Sequence, residues 1–156
     1  MSSGFVSVAE SPTAPVTVKN TAFYPDVALA DVRTTMRLDG TVTDARLQHT
    51  LVDAIVQTNQ ELREWKATQL ALGFHTLADV PAEQTNNESV LLALYRRAVY
   101  SFTAANLIER LRNVDTTNEG HDRADQLESP IDDLRRDARW AIRDLLGRHR
   151  NTVELI

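Results

Sequence analysis

The chain has 156 residues and is 42% hydrophobic, which suits one compact domain with a core of its own. Its formal net charge of −5 at pH 7 argues against a dedicated nucleic-acid-binding protein, and the absence of cysteine excludes disulfides and thiolate metal sites. No apolar run is long enough to cross a membrane, and the scarcity of glycine and proline, five of each, favours helices over sheets.

The first predicted element is an extended arm over residues 1–22, which are rich in Ser, Thr, Pro and Val and show no helical period. We expect this arm to lie against another chain. Residues 23–147 are predicted to form a helical bundle domain, and residues 148–156 a short C-terminal docking tail. The predicted fold class is therefore all-α, a four-helix bundle with an extended N-terminal arm and a short C-terminal tail.

Two helices are predicted in the first half of the bundle. A short helix covers about residues 27–38. A long helix over roughly 43–72 follows a capping pattern made by Thr41 and Asp44, and Gly73 is its predicted stop. Its apolar residues recur at steps typical of a helix-packing stripe. They are Leu47, Leu51, Ala54, Ile55, Leu62, Trp65 and Leu72.

A third helix is predicted over about residues 88–114, after a loop that holds a short turn at Leu77–Val80. Its apolar residues occupy one side near the start and nearly the opposite side near the end. Two arrangements explain this change. Either the helix is central and buried all round, or its far end leaves the bundle and packs on a neighbouring subunit.

The last helix has the clearest signals at its ends. Ser129 is a predicted N-cap, Pro130 suits the first helical position, Asp132 completes a capping box, and Gly147 ends the helix. The polar residues 115–128 before it are predicted to form a loop. The predicted core face of the helix is Ile131, Leu134, Ala138, Ala141, Ile142, Leu145 and Leu146.

Charged residues of opposite sign lie on the two sides of this core face. They are Arg135, Arg136, Arg139 and Arg143 on one flank and Asp133, Asp137 and Asp144 on the other. Trp140 lies almost opposite the core face, where a tryptophan needs cover. We hypothesise that this helix, with Leu107 and Leu111, forms a subunit interface whose flanks pair head to tail around a ring. The alternative is that the arm or the 115–128 loop of the same chain covers Trp140.

No catalytic, phosphate-binding or metal-binding motif occurs in the sequence. His121 with Asp122, Asp125 and Glu128 is the one cluster that could hold a cation, but a charged loop of this kind is more typical of a solvated surface. The carboxylates of the last helix have arginine neighbours at helical spacing, which favours an ion-pair network over an acid–base site. We therefore predict no enzyme, no cofactor and no metal site.

Four segments, taken in chain order, together carry a resemblance to a known family. They are "VKNTAFYPDVALADVRTTMRLDGTVTDARLQHTLVDAIVQTNQELREW", "GFHTLADVPAE", "YRRAVYSFTAANLIERLRNVD" and "ESPIDDLRRDARWAIRDLL", followed by "VELI". Over roughly residues 18–156 the chain resembles the head-completion protein (gpL) family of contractile-tailed bacteriophages. The resemblance rests on many segments of medium strength and on no single invariant motif, and residues 1–17 match nothing identifiable.

The resemblance implies a virion structural protein without enzymatic activity. It implies an adaptor ring in the phage neck, usually of twelve copies, that docks on the portal protein after DNA packaging and completes the head. Such a ring extends the DNA channel and provides a platform for the next neck or tail-terminator protein. DNA would pass through the lumen without sequence-specific binding, no membrane partner is expected, and the protein would be assembled in the host cytoplasm and found in the virion.

The tail "NTVELI" has alternating residues with a preference for β structure. We predict that it adds a strand to a sheet edge on the portal or on a neighbouring copy. The residues proposed for this docking are Thr152, Val153, Glu154, Leu155 and Ile156. The alternative is that the tail packs back on its own bundle.

Two functions of other classes stay open at this point. One is a small helical assembly chaperone or regulatory module that binds a partner transiently. The other is an enzyme with an unfamiliar site around His121 and its carboxylates. A stable ring in virions would argue against the first, and only a tight, specific titration with a divalent metal would support the second.

Overall fold

A computed structural model describes residues 15–38, 40–114 and 118–148, and for residues 113–114 and 118–129 it describes the backbone alone. Within these residues the chain is mostly helical, as the composition predicts. Its five α-helices are α1 (Leu29–Thr35), α2 (Asp44–Glu61), α3 (Arg63–Ala71), α4 (Val90–Val114) and α5 (Asn118–Leu145). The predicted short turn is confirmed as a 3-10 helix at Leu77–Asp79.

Two pairs of very short strands accompany the helices. β1 (Thr17–Val18) pairs antiparallel with β2 (Val27–Ala28), with Thr17 opposite Ala28. β3 (Gln84–Thr85) pairs antiparallel with β4 (Glu88–Ser89), immediately before α4. Asn86 and Asn87 connect β3 to β4 with φ angles of 53° and 59°, which is the left-handed geometry of the tight turns that suit hairpins.

α4 is the central helix of the fold. It packs along α5 and crosses α2, and every residue from 98 to 105 is buried. Of the two arrangements that the sequence left open, burial on all sides is therefore confirmed for this stretch. Three helices, α2, α4 and α5, supply most of the packing, whereas the sequence predicts a bundle of four. The difference arises because α1 has only seven residues and α3 buries none of its side chains.

The single long helix predicted over 43–72 is divided at Leu62. Thr43 is its N-cap, and the hydroxyl of Thr43 accepts a hydrogen bond from the backbone N–H of Arg46 at 3.4 Å. Leu62 is fully buried and has φ −95° and ψ 4°, so the apolar stripe does not continue in register into α3. The predicted burial of Leu72 is consequently wrong, since Leu72 is 65% exposed.

α5 begins eleven residues earlier than its predicted cap at Ser129. The backbone is helical from Asn118, through most of the predicted loop, and Pro130 lies inside the helix. Proline has no N–H, so a backbone carbonyl in the preceding turn of α5 lacks its usual helical partner. Pro130 is exposed, and water can therefore bond that carbonyl. The predicted core face is confirmed, with Leu134 and Leu146 half-buried and the other five members buried.

Residues 16–26 belong to the core of this chain rather than to a free arm. The backbone N–H of Leu29 donates to the carbonyl of Val16 at 3.0 Å, and Val18 is buried. Residues 1–14 of the predicted arm lie outside the described residues. The last part of the predicted arm therefore packs on the chain itself.

A closed ring of side-chain hydrogen bonds holds this segment against the helices. Asn20 Nδ2 donates to the Tyr95 hydroxyl at 2.8 Å, and that hydroxyl donates to Asn59 Oδ1 at 2.7 Å. Asn59 Nδ2 then donates back to Asn20 Oδ1 at 3.0 Å. Because Asn59 lies on α2 and Tyr95 on α4, the ring joins the N-terminal segment to both helices.

Two of the predicted helix stops are confirmed by backbone geometry. Gly73 has φ +94° and Gly147 has φ +66°, a region that residues with a Cβ rarely occupy. At Gly73 the N–H of Phe74 donates to the carbonyl of Gln69, and that of Gly73 to the carbonyl of Leu70. These two bonds satisfy carbonyls at the end of α3 in the Schellman pattern.

Replacing Gly73 with alanine is expected to lower the free energy of unfolding by about 1 kcal/mol. No atom lies within 4 Å of the added Cβ, so the cost comes from backbone strain alone. Gly40→Ala is the matched control, because its site is equally open and its φ is not in the left-handed region. Urea denaturation of both variants measures the difference, and equal stabilities would contradict the expected strain at Gly73.

The three tyrosines of the chain, Tyr24, Tyr95 and Tyr100, are all buried in this core. Burial is the main cause that raises the pKa of each phenol above its ordinary value of 10. In the unfolded chain the phenols lose their protons near pH 10, whereas the folded chain keeps them. The stability contributed by this difference is therefore complete below pH 10 and is lost as the pH rises further.

Near pH 10 we expect less phenolate absorbance from the folded protein than from the unfolded chain. Above that pH the free energy of unfolding should fall by about 1.4 kcal/mol per pH unit for each tyrosine that ionises only in the unfolded chain. An ultraviolet titration followed in parallel with circular dichroism tests this, with protein in concentrated denaturant as the control. A tyrosine that titrates near pH 10 while the helices persist would contradict the described burial.

Candidate assembly surface

Two residues of the predicted flanks of α5 are used within the chain. Arg135 donates a charge-assisted hydrogen bond to Glu109 of α4 at 2.5 Å. Asp137, on the other flank, lies 3.6 Å from the guanidinium of Arg97, also on α4. Arg97 and Glu109 carry no signal in the sequence that marks them as partners of α5, because the pairing depends on how α4 and α5 pack. The buried core face of α5 sets the rotation of this helix on α4, and the two ion pairs form at the edges of that contact.

Trp140 lies on the outward side of α5 and is half-buried. The guanidinium of Arg136 sits 4.8 Å from the centre of the indole ring, in a cation–π arrangement. Arg136 is in turn held by Asp133 at 2.7 Å. Side chains from the same helix therefore cover part of Trp140, which neither of the two sequence-based alternatives considered.

The outer face of α5 is defined here by Asp133, Arg136, Arg139, Trp140 and Arg143. Arg139 and Arg143 are exposed, and Asp144 is half-buried beside them. A tryptophan ringed by arginines on a rigid helix is the kind of surface that forms the energetic centre of many protein interfaces. The geometry is thus compatible with the predicted subunit contact.

The two leucines predicted at the interface occupy different environments. Leu107 is only 5% exposed and packs in the core, whereas Leu111, one turn further along α4, is 42% exposed. Leu107 therefore offers no side-chain surface to a neighbour except at the bottom of a depression. Leu111 forms part of the wall of that depression.

This depression is a cleft of about 520 Å³ between the first turns of α2 and the last turns of α4. Buried Thr50 and Leu107 lie at its base, and the other lining residues are more exposed. Among the residues whose side chains are described, the lining is Ala45, Arg46, His49, Thr50, Leu107, Arg110 and Leu111. Its size is that of sites that enclose several apolar side chains or a small ligand.

An exposed apolar stripe runs along α2 from this cleft. Val52 and Val56 are 41% and 50% exposed, and with Ala45 and His49 they recur at steps of four, three and four residues. This stripe is not among the sequence-based predictions, because the stronger stripe of leucines on the other side of α2 dominates the pattern. Its spacing is nevertheless a detectable signal.

Several predicted features lie outside the description. The docking residues Thr152 to Ile156 are beyond the described range, and the side chains of His121 and its acidic neighbours are not described. Among the residues that are described, no group of histidines and carboxylates could hold a metal ion. The same residues contain no helix long and apolar enough to span a membrane.

Comparison with known proteins gives two matches. The family described as phage head completion protein (GPL) matches residues 18–156. A "Head completion/stabilization protein" of Escherichia phage P2 is 42% identical over 139 residues, which cover 89% of this chain and 82% of that protein. No solved structure matches the chain.

Proposed function

This chain belongs to the phage head completion protein (GPL) family, and on that premise we propose that it forms an adaptor ring in the phage neck. The ring docks on the portal protein after DNA packaging, completes the head and extends the DNA channel. It then provides the platform for the next neck or tail-terminator protein. The role is structural rather than catalytic, and the protein acts as part of the virion.

The observation that carries this proposal is the presence of two different outward surfaces on either side of one central helix. α4 packs against both α2 and α5, so these two helices flank it. One surface is the outer face of α5 with Trp140, and the other is the stripe and cleft of α2. A head-to-tail contact needs two unlike surfaces that fit each other, and it closes into a ring when the rotation allows. A ring of twelve copies is the proposed assembly.

The charge of the chain supports a passage for DNA. A net charge of −5 repels phosphates, so DNA in the lumen would slide without tight nonspecific binding. Binding to nucleic acid that strengthens as salt is lowered would contradict this part of the proposal. No sequence-specific recognition of DNA is proposed.

The deciding experiment is a measurement of stoichiometry. The purified chain is mixed with the portal ring of the same phage, and the complex is weighed by native mass spectrometry. We expect a discrete complex that contains as many copies of this chain as of the portal subunit. A chain that binds no portal ring at any salt concentration would overturn the proposed function.

Replacing Trp140 with alanine is expected to weaken assembly on the portal by roughly 30-fold, because a central tryptophan of an interface contributes about 2 kcal/mol. The fold should persist, since Trp140 lies outside the buried core of α5. Leu72→Ala is the matched control, because Leu72 is exposed at the end of α3, away from α5 in the sequence. Titration of the portal with each variant, alongside circular dichroism, measures the effect. Unchanged assembly by a folded Trp140→Ala variant would remove α5 from the interface.

A further inference from the structure

The α2–α4 cleft combines an apolar interior with a basic rim. Leu107 and Leu111 provide the apolar surface, and Arg46 and Arg110 stand at the edges. Arg110 is already held by Asp53 at 2.6 Å. Within the described part of the chain, Arg46 is exposed and has no acidic partner. A fitting occupant would therefore be a short apolar segment that carries one negative charge.

The chain itself contains such a segment outside the described residues. Residues 152–156 read "TVELI", with three branched apolar side chains and one acidic side chain, that of Glu154. In an extended segment, alternate residues point to opposite sides. If residues 152–156 bind in this form, Val153 and Leu155 share the side toward the apolar cleft, and Glu154 is on the solvent side, where the exposed Arg46 is its available partner at the rim. Charge and apolar content thus match between this segment and the cleft.

The position of Arg148 favours binding between copies over folding back. Arg148 lines a groove with Gln60 and Glu61, at the end of α2 that is remote from the cleft. From Gln60 to Thr50, the nearest lining residue on α2, the helix rises about 15 Å. The five residues 149–153 span at most about 17 Å when fully extended. To reach even the edge of the cleft in its own chain, the segment 149–153 would have to be almost fully extended. Binding to the cleft of a neighbouring copy does not require this segment to run back along α2.

We propose that the α2–α4 cleft of each copy binds residues 152–156 of the adjacent copy. The inference rests on the proposed ring, and it names the part of the neighbour that receives the tail. Such an exchange of terminal segments ties each subunit to the next in one rotational direction. It makes the ring contact heterologous, with the tail of one copy and the cleft of the next as the two complementary parts.

Cross-linking tests this directly, because the chain has no cysteine and any introduced pair reacts alone. The full-length variant Leu111→Cys/Leu155→Cys is treated with a short bismaleimide, in free solution over a concentration series and on the portal ring. We expect a ladder of covalent dimers and higher multimers on a denaturing gel. Leu72→Cys/Leu155→Cys is the matched control, since Leu72 is an exposed leucine just after the last residue of α3, and it should yield little ladder.

The outcomes separate the inference from the proposed function. A ladder no stronger than that of the control, or a product that is only intramolecular, overturns the inference even if native mass spectrometry shows normal portal docking. A ladder in solution together with failure to bind the portal upholds the inference and overturns the portal role. Absence of both overturns both.

A charge exchange tests the pairing of Glu154 with Arg46. Arg46→Glu and Glu154→Arg should each reduce the ladder roughly two- to fivefold, as expected for an exposed ion pair, and the combined variant should restore it. Arg46→Glu should fold normally, because Arg46 is in the first turn of α2, where a glutamate is favoured. Equal loss in the single and combined variants would overturn the assigned pairing.

Discussion

Replacing Asn20 with alanine is expected to lower the free energy of unfolding by about 3 kcal/mol. The Asn20 carboxamide donates to the carbonyl of Pro25 at 3.0 Å and to the Tyr95 hydroxyl at 2.8 Å. Its oxygen accepts hydrogen bonds from Asn59 Nδ2 at 3.0 Å and from the N–H of Thr21 at 2.8 Å. Alanine removes all four bonds at once and leaves partly buried donors and acceptors without a partner, which costs more than the bonds themselves contribute.

Urea denaturation followed by circular dichroism measures this effect. Lys19→Ala is the matched control, because Lys19 is the adjacent residue and its pair with Asp26 is exposed to solvent. Exposed pairs of this kind contribute little, so the control should change stability by less than about 1 kcal/mol. If both variants had the same small effect, the segment 16–26 would not belong to the cooperative core.

The second large effect distinguishes two stacked tyrosines. The rings of Tyr24 and Tyr95 lie 4.6 Å apart and nearly parallel, at an interplanar angle of 8°. The Tyr95 hydroxyl is at the centre of the hydrogen-bonded ring with Asn20 and Asn59. The Tyr24 hydroxyl is buried and has no hydrogen-bond partner among the described residues. The two tyrosine rings thus form one aromatic stack, but only the Tyr95 hydroxyl has hydrogen bonds that compensate for its burial.

We expect Tyr95→Phe to lower the free energy of unfolding by about 2 kcal/mol, since it leaves Asn20 and Asn59 incompletely bonded. Tyr24→Phe should be neutral or stabilise the fold by up to about 1 kcal/mol, because it removes an uncompensated buried hydroxyl and keeps the ring. Chemical denaturation of the two variants under identical conditions makes the comparison. Equal losses would show that the Tyr24 hydroxyl is satisfied in solution.

These stability effects bear on assembly through the same central helix. Tyr95 near the start of α4 anchors the N-terminal segment and α2, while Arg97 and Glu109 further along α4 hold α5 by ion pairs. Both outward surfaces are therefore positioned by one rigid element. A rigid helix keeps the relative angle of the two surfaces constant, and a ring closes only if every copy presents the same angle. The orientation of the proposed interface residues therefore depends on the core, even where these residues do not contact it.

Features of this chain that depend on nearby residues could be predicted from its sequence. The leucine stripe of α2, the core face of α5 and the stops at Gly73 and Gly147 were all identified correctly. Each follows from a local cause, namely the helical period or the conformational freedom of glycine. The resemblance over residues 18–156 likewise identified the family that the comparisons confirm.

Local signals failed where a distant contact decides the outcome. α2 ends at Glu61, before the buried Leu62 and in the middle of a continuous helical pattern. The helix of α5 passes through Pro130 despite a strong capping signal at Ser129. In both places the helical period of the apolar residues and the capping residues reflect short-range preferences of about 1–3 kcal/mol. The free energy gained by packing a whole helix can exceed these preferences.

The outward surfaces also required the tertiary structure. The rotation of α5 against α4 decides which flank residues of α5 pair with α4. The same rotation leaves Trp140 and Arg136 facing outward. The cleft forms from residues about 60 positions apart, between the first turns of α2 and the last turns of α4. The sequence by itself determined the main helical segments, the stops at Gly73 and Gly147, and the family. Only the tertiary structure decided which helix faces are exposed to a partner, because the packing of the helices against one another determines which side chains stay accessible.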